Sequence, residues 1–474
     1  MDARSGAAPG AQRRQSVRRA IVPRSGRAHA GARHHGVRRR RIPGRRRAQP
    51  CRSPCDENGN VRTAELVAID ERRLLRRLDE LAQRGALPGG GLYRALYTPA
   101  WVSATELVSG WMKEAGLLVR RDAVGNVWGR VEGSRGGRAI VTGSHIDTVR
   151  GGGALDGALG VVAAVEAVAS LVSQLGRPLR ILEAVAICEE EGSRFNTNFW
   201  GARAIADRIE PDEASRARDA DGVTLADAMR GVGLDPANVA QAIRRDIDTF
   251  VELHVEQGPI LEEEGPRLGV VRTIVGTAHL EVVVRGQPDH AGATAMDRRR
   301  DALLGASAMM LAIADVAREM GPPAVATVGT IAVEPAQVNV VPGLARFTVD
   351  ARHSDNAQRT LLVADITRVC KVAGRERDLS VDVRTLRDRP AVQLNERAAD
   401  VARRACLACG VAPRDMTSGA GHDAQVLSAA AHAAMIFVPS IGGRSHCPEE
   451  ATAAEDVILG TRALAAALRD LAYS

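Results

Sequence analysis

Gly143-Ser144-His145-Ile146-Asp147-Thr148-Val149, followed by Gly151-Gly152-Gly153-Ala154-Leu155-Asp156-Gly157, is the stretch on which the reading of this chain turns. The apolar run Ala139-Ile140-Val141 leads into it and reads as a buried strand. The apolar segment that begins at Ala158 follows it and reads as a helix. An imidazole and two carboxylates thus stand at the carboxyl end of a strand, where ligands bind in open α/β sheets. The glycines let backbone come close to a ligand or take positive φ. Neutral imidazole and carboxylate are ligands for zinc or manganese. Asp147, two residues beyond His145, is placed to hold the other ring nitrogen. The competing reading is a capped, Gly-rich turn with a satisfied histidine, and the rest of the chain decides between the two.

Working outward, three more apolar runs end in the same kind of residue. The strand Leu179 to Cys188 runs into Glu189-Glu190-Glu191-Gly192-Ser193-Arg194-Phe195, and three adjacent carboxylates repel one another unless a cation compensates. Glu189 reads as a solvated neighbour of the other two. Phe250 to Gly258 alternates in the β manner and sets His254 beside Glu252 and Glu256 on its polar side. Ala434 to Pro439 leads through Ser440-Ile441-Gly442-Gly443-Arg444-Ser445 to His446. Four strand ends therefore offer His145 with Asp156, Glu190 with Glu191, His254, and His446. Two ions about 3.5–4 Å apart, bridged by one carboxylate, are the common arrangement for hydrolysis. A carboxylate that is not a ligand then moves the proton.

Composition bounds the answer. The 474 residues suggest two domains, or one with a large insert. Apolar residues make up 45% and aromatics only 3%, so the cores are built from Val, Leu, Ala and Ile. Residues 1–55 hold 16 Arg, no Lys and one acid, Asp2, while the remainder holds 48 basic and 56 acidic residues. The net charge of +7 therefore describes a tail on a mildly acidic body with no nucleic-acid footprint. Residues 1–60 lack large apolar side chains and are expected to be disordered. An upstream extension is favoured there over a targeting peptide or a nucleic-acid-binding arm. Seven scattered cysteines fit a reducing cytosol, and Cys406-Leu407-Ala408-Cys409 reads as helix interior rather than a redox site. No run of about 18 apolar residues is read, so no membrane span is expected.

From Leu268 the pattern changes. Strands around Val270–Val275 and Leu280–Val284, a helix Asp301–Met320, strands near 324–333 and 344–351, a helix near 356–372 and a strand Leu379–Leu386 follow one another. This β-α-β-β-α-β order is ferredoxin-like. The expected division is a tail at 1–60, a catalytic domain at 61–267 and 388–474, and an inserted module at 268–387. The fold class is α/β: a mixed-sheet, phosphorylase/hydrolase-like di-metal domain carrying an α+β ferredoxin-like lid and dimerisation domain.

The motifs GSHIDTV, LDG, EEEGSRF, ELHVEQGPILE, HAG, VNVVPG, DARH, SGAGHDA and GGRSH occur in that order between residue 62 and the C-terminus. In this the chain resembles the hydantoinase/carbamoylase-type dinuclear metal amidohydrolases of the aminoacylase and carboxypeptidase-type superfamily. That group includes allantoate amidohydrolase, N-carbamoyl-L-amino-acid hydrolase and β-ureidopropionase. The resemblance implies two divalent ions per subunit, zinc or manganese, with cobalt or nickel as alternatives. Asp156 would bridge them, His145 and His254 completing one site and Glu191 and His446 the other. Glu190 would be general base and acid, and Asp147 would orient His145. His290 would polarise the scissile carbonyl, reaching the neighbouring active site of a homodimer. Asn339 and Arg352 would hold a substrate carboxylate, with Gln257 a further contact. The resemblance implies a cytoplasmic enzyme that acts on a small ureido or amidino acid, allantoate first and carbamoyl amino acids next. Thr277-Ala278-His279 and Ala293-Thr294-Ala295-Met296 depart from the allantoate pattern, Gln-Arg-Arg and Thr-Thr-Pro-Met. An ordinary peptidase of the superfamily is the rival on the same scaffold; His254 stands against it, because those enzymes place an acidic ligand there.

Overall fold

The computed structural model describes residues 66–474 and a two-residue strand, Ile21–Val22, paired in parallel with Thr452–Ala453. The rest of the Arg-rich segment lies outside the described residues.

Two helices open the body. Asp70 caps α1 (Glu71–Ala82), its carboxylate accepting the Arg73 N–H at 2.9 Å. Thr98 caps α2 (Pro99–Glu114), with Pro99 in its first turn. A nine-stranded mixed sheet forms the centre of the large layer. Its strands are β1 (Leu118–Arg121), β2 (Val127–Val131), β3 (Ala139–His145), β4 (Leu182–Ile187), β5 (Ile247–Val255), β6 (Gly269–Ile274), and further on β11 (Arg414–Ser418) and β12 (His432–Val438), with the short strand Val392–Gln393 at one edge. The four in the middle, in the order β12-β5-β3-β4, are mutually parallel. Their carboxyl ends therefore share one edge of the sheet. Ile140, Val141, Phe250, Val251 and Ile436 are fully or almost fully buried, because helices cover both faces.

Helix α3 (Ala158–Leu175) connects β3 to β4 and lies against the sheet. It corrects one expectation: by length and hydropathy these 18 residues could cross a membrane. Here the helix is 72% buried inside the protein, so its apolar character is that of a core helix. Its one acid, Glu166, is fully buried and bonded to Arg73 of α1 at 2.7 and 2.8 Å.

A second, four-stranded antiparallel sheet has the order β8-β9-β7-β10: β7 (Gly276–Arg285), β8 (Val325–Glu334), β9 (Leu344–His353) and β10 (Ser380–Arg389). With α4 (Ala302–Met320) and α5 (Asn356–Arg375) this is the β-α-β-β-α-β unit. The sequence pattern misplaces one strand. Val270–Val275 was expected to open the module, but β6 lies in the large sheet, antiparallel to β12 and parallel to β11. Its neighbours come from the far end of the chain and leave no local trace. Leu280, Val282, Phe347, Val349, Ile313 and Leu362 fill the core on the helix face. The opposite face carries Thr277, His279, Asp350 and Arg352, all partly exposed. Helix α6 (Glu396–Ala408) ends at Cys406 and Cys409, which are free thiols as a helix reading of this CxxC requires, and α7 (Ala454–Ala472) closes the chain.

Candidate metal centre

The parallel register gathers the strand ends. His145 is the last residue of β3, opposite Ile187, and His254 is opposite Phe437 of β12. Between β3 and β5 the chain order reverses, which is the switch point where such sheets bind ligands. The His145 and His254 rings lie 5.7 Å apart there. Gly157 passes beside both rings. Its φ is +65°, its N–H donates to His254 Nε2 at 3.1 Å, and an added Cβ would come within 2.4 Å of the His145 ring. Only glycine fits.

Asp156 is the hub. Its Oδ1 lies 3.4 Å from His145 Nε2 and 3.2 Å from His254 Nε2, and its Oδ2 lies 3.3 Å from His446 Nε2. His446 Nε2 is also 3.2 Å from Glu191 Oε1. Two groups of potential ligands thus share one carboxylate: His145, Asp156 and His254, and Asp156, Glu191 and His446. His145 also groups with Glu190 and Glu191, and His254 with Glu252 and His422.

The hydrogen bonds test whether cations fit. His145 Nδ1 meets the Asp147 carbonyl at 3.1 Å and His254 Nδ1 meets the Val255 carbonyl at 2.9 Å. A ring nitrogen facing a carbonyl carries the proton, so in the neutral ring Nε2 is a lone pair. Gly157 N–H donating to His254 Nε2 says the same of that ring. Lone pairs therefore face Asp156 Oδ1, a buried oxygen with no hydrogen bond. Such an arrangement is repulsive until a cation sits within it. The electrostatics agree. Burial disfavours a charged His145, but the Asp156, Glu190 and Asp147 carboxylates outweigh it and raise its pKa well above the usual value. Hydrogen bonds to Asp156 and Glu191 raise His446 to about 11. At His254 burial opposes the charge and Asp156 raises the pKa, while Nε2 accepts the Gly157 N–H. The donor set suits a divalent metal.

The surrounding shell corrects several expectations. Asp147 touches His145 chiefly through its main-chain carbonyl; its carboxylate is 3.7 Å from the ring and instead accepts the Glu190 and Glu191 amides at 3.0 and 3.1 Å. Aspartate is thus the brace of the acidic turn. Glu189 is not solvated but fully buried, and neither of its oxygens makes a hydrogen bond. Burial first, and Asp147 second, push its pKa up to about 8. Burial also raises Glu190 well above the usual carboxyl range, with His145 opposing. Gln257 donates to Asp156 Oδ2 at 2.8 Å, so it braces the hub. Glu189, Gln257 and His446 are non-glycine residues at φ of 53°, 61° and 57°. Left-handed backbone of this kind costs about 1–3 kcal/mol per residue and clusters where function holds it.

Glu450 was missed. It is buried and accepts the Leu155 and Asp156 amides at 2.9 and 3.0 Å and the Ser445 hydroxyl at 2.6 Å. Its only signal was a second acid four residues after His446. Glu252, which accepts from Ser144 and the Ala424 amide, and His422, whose ring is 4.5 Å from that of His254, complete the shell. Arg94, also missed, is fully buried and ties Ile146, Leu81 and Arg84 carbonyls together beneath the centre.

Arg352 lies on β9, where Asp350 holds its Nε and Nη2 at 2.9 and 2.8 Å and Gly419 O accepts Nη1 at 2.8 Å. Two N–H bonds remain for a ligand. A cleft of about 1420 Å³ is lined by Arg352, Gln257, His446, His279 and Ser445 among others. His290 ends the short strand Asp289–His290, which pairs with Val340–Val341, and Asn339 precedes the latter; neither lines the cleft and both are exposed.

Residues 141–470 match the family described as Peptidase family M20/M25/M40. The chain belongs to this family. Within M20/M25/M40, it is 40% identical over 394 residues to allantoate amidohydrolase of Escherichia coli (strain K12), covering 83% of this chain and 96% of that protein. It is 39% identical over 402 residues to N-carbamoyl-L-amino-acid amidohydrolase of Paenarthrobacter aurescens, covering 84% and 97%. The crystal structure of an amidase of the hydantoinase/carbamoylase family from Burkholderia multivorans matches with a TM-score of 0.79 at 34% identity, over 86% of this chain and 99% of that one. The resemblance read from the motifs and the mixed α/β fold both hold.

Proposed function

We propose that this protein is a dinuclear metal hydrolase that cleaves a ureido or amidino C–N bond in a small carboxylate-bearing molecule and releases ammonia. The observation that carries the reading is Asp156, one carboxylate shared by two groups of ligands beside the buried Glu190. The M20/M25/M40 kinship makes the chain a hydrolase of the amidohydrolase kind. Allantoate is the first substrate to test, on the identity to the enterobacterial relative; N-carbamoyl-L-amino acids and N-carbamoyl-β-alanine come next.

In this reading His145, Asp156 and His254 hold one divalent ion, and Asp156, Glu191 and His446 the other; zinc or manganese fits, and cobalt or nickel is accepted by the same donors. When bound, such a pair supplies Lewis acidity to a water and to the scissile carbonyl. Glu190 takes the proton of the attacking water and returns it to the leaving nitrogen as the C–N bond breaks. Its burial, which raises its pKa, suits a group that must hold that proton between the two steps. Asp147 fixes the backbone from which Glu190 projects. The two free N–H bonds of Arg352 meet the substrate carboxylate, a charge-assisted contact. His290 and Asn339 are exposed, and in this proposal they serve the active site of a second subunit, with the module as lid and dimerisation surface. Because β6 belongs to the large sheet, that module runs from Gly276 to Arg389. A cytoplasmic setting goes with this reading.

The test is ammonia release by the manganese- or zinc-loaded protein from allantoate, N-carbamoyl-L-amino acids and N-carbamoyl-β-alanine, with an N-acetyl amino acid and a dipeptide alongside. Ammonia from the ureido compounds supports the proposal. Free amino acid from the acetyl compound or the dipeptide, with no ammonia, replaces it with a peptidase or aminoacylase.

A further inference from the structure

The open face of the four-stranded sheet carries a second basic position that nothing above has used. Thr277 of β7 is paired with Arg352 on one side and with Arg389 of β10 on the other. The three form one row, so their side chains leave the sheet on the same face. Two strand spacings put the Arg352 and Arg389 backbones roughly 10 Å apart. In the next row His279 stands between Asp350 and Arg387. The Thr277-Ala278-His279 departure from the allantoate pattern thus falls between these basic residues.

The two arginines of the Thr277 row have opposite surroundings. Arg352 is neutralised by Asp350. Arg389 is partly buried and, among the described residues, makes no side-chain hydrogen bond or ion pair; its guanidinium lies 4.8 Å from the Phe199 ring centre. Its neighbours are also cationic. Arg387 donates to Asn198 Oδ1 at 2.5 Å and to Asn196 O at 3.4 Å, both neutral, and Arg203 is already paired with Glu213. Burial, then Arg387 and Arg203, lower the Arg389 pKa to about 10, and Glu190 is the carboxylate that opposes this. Glu190 acts on Arg352 as well. The Gly419–Gly421 turn joins the two arginines: Gly419 O takes Arg352, and Gly421 packs on Phe199, whose ring Arg389 covers. A partly buried guanidinium without an anion, repelled by two others, is a costly arrangement that an anionic ligand relieves.

We propose that Arg389, on the sheet face that carries Arg352, is a second anion-binding subsite, which takes a side-chain carboxylate of the substrate while Arg352 takes the first. The substrate class is then a ureido or amidino derivative of a dicarboxylic amino acid. This rests on the hydrolase reading for its chemistry but not for its binding test.

The binding test compares L-glutamate with its neutral isostere L-glutamine, by calorimetry on the full-length, metal-loaded protein. Glutamate is expected to bind about tenfold tighter or more, the worth of one hydrogen bond to a charged group. In Arg389→Gln that preference falls to about one, and Arg389→Lys, which keeps the charge and loses the fork, falls between. Equal affinities in the wild type overturn the subsite without any variant having to fold, and so does a preference that survives Arg389→Gln. The turnover arm compares N-carbamoyl-L-glutamate with N-carbamoyl-L-glutamine. A glutamate preference in binding with no ammonia from any ureido compound keeps the subsite and removes the hydrolase reading. Ammonia release with no preference in either arm does the reverse.

Discussion

The strand-end cluster of the large sheet and the open face of the small sheet are built on opposite principles. At the cluster, His145, Asp156, His254 and Glu190 are buried; Glu450 holds the Asp156 amide, Gln257 its Oδ2 and Gly157 the His254 Nε2, while Asp156 Oδ1 is left facing the ring nitrogens. On the open face, Arg352, His279 and Arg389 are partly exposed and reach out from a regular β surface. A di-metal site needs ligands held in place before the ions arrive, whereas a substrate-binding surface needs unspent donors. The contrast teaches where to look for each function: chemistry where buried groups are braced around one carboxylate, selectivity where donors stand on an open face.

Substitutions can break or sharpen this contrast. The largest effect is expected from Glu190→Gln, which keeps the shape and the metal content but removes the proton acceptor. Turnover should fall on the order of 10³-fold or more, measured as kcat beside metal analysis; undiminished turnover would move the base elsewhere. Asp156→Asn comes next. The wild type should lose thermal stability on chelation, by about 4 kcal/mol for ions held at a thousandfold above Kd, whereas the variant should melt at the same temperature with and without chelator. Arg352→Ala, on the open face, should leave metal content alone and raise KM for carboxylate substrates about tenfold. A drop in metal content instead would erase the distinction between the two regions.

The smallest effect is a pH signature inside the cluster. In metal-free protein Glu189 keeps its proton up to about 8, against 4.5 for an ordinary glutamate. Between those values the folded state binds the extra proton, so this group's contribution to stability falls as pH rises. Glu189→Gln does not titrate. Its melting temperature should exceed that of the wild type by a margin that grows from pH 5 to pH 8. A constant margin would mean that the carboxyl is not buried as described.

The sequence made the cluster legible because each of its residues ends or follows an apolar run, and parallel strands bring such ends to one edge. It did not rank neighbours within a turn. Glu189, Glu190 and Glu191 look alike in sequence, yet Glu189 is buried without a hydrogen bond, Glu190 groups with His145 and Glu191 faces His446. Asp147 was placed correctly and its contact misread, since main-chain and side-chain oxygens of one residue cannot be told apart by spacing. Strand β6 was assigned to the wrong sheet because its partners, β11 and β12, lie far along the chain. Arg389 gave no signal at all; its meaning comes from a cross-strand row.

Strand β12 has a consequence for biosynthesis. It lies between β5 and β6, both of which leave the ribosome long before it does. The segment that follows it supplies His446 as well as Glu450, the residue that holds the Asp156 amide. A nascent chain therefore carries a gap in its sheet, and the hub lacks its brace until the last part of the polypeptide threads into place. The cluster is completed only at the end of synthesis, and a product truncated before residue 446 lacks one member of the Asp156, Glu191 and His446 group.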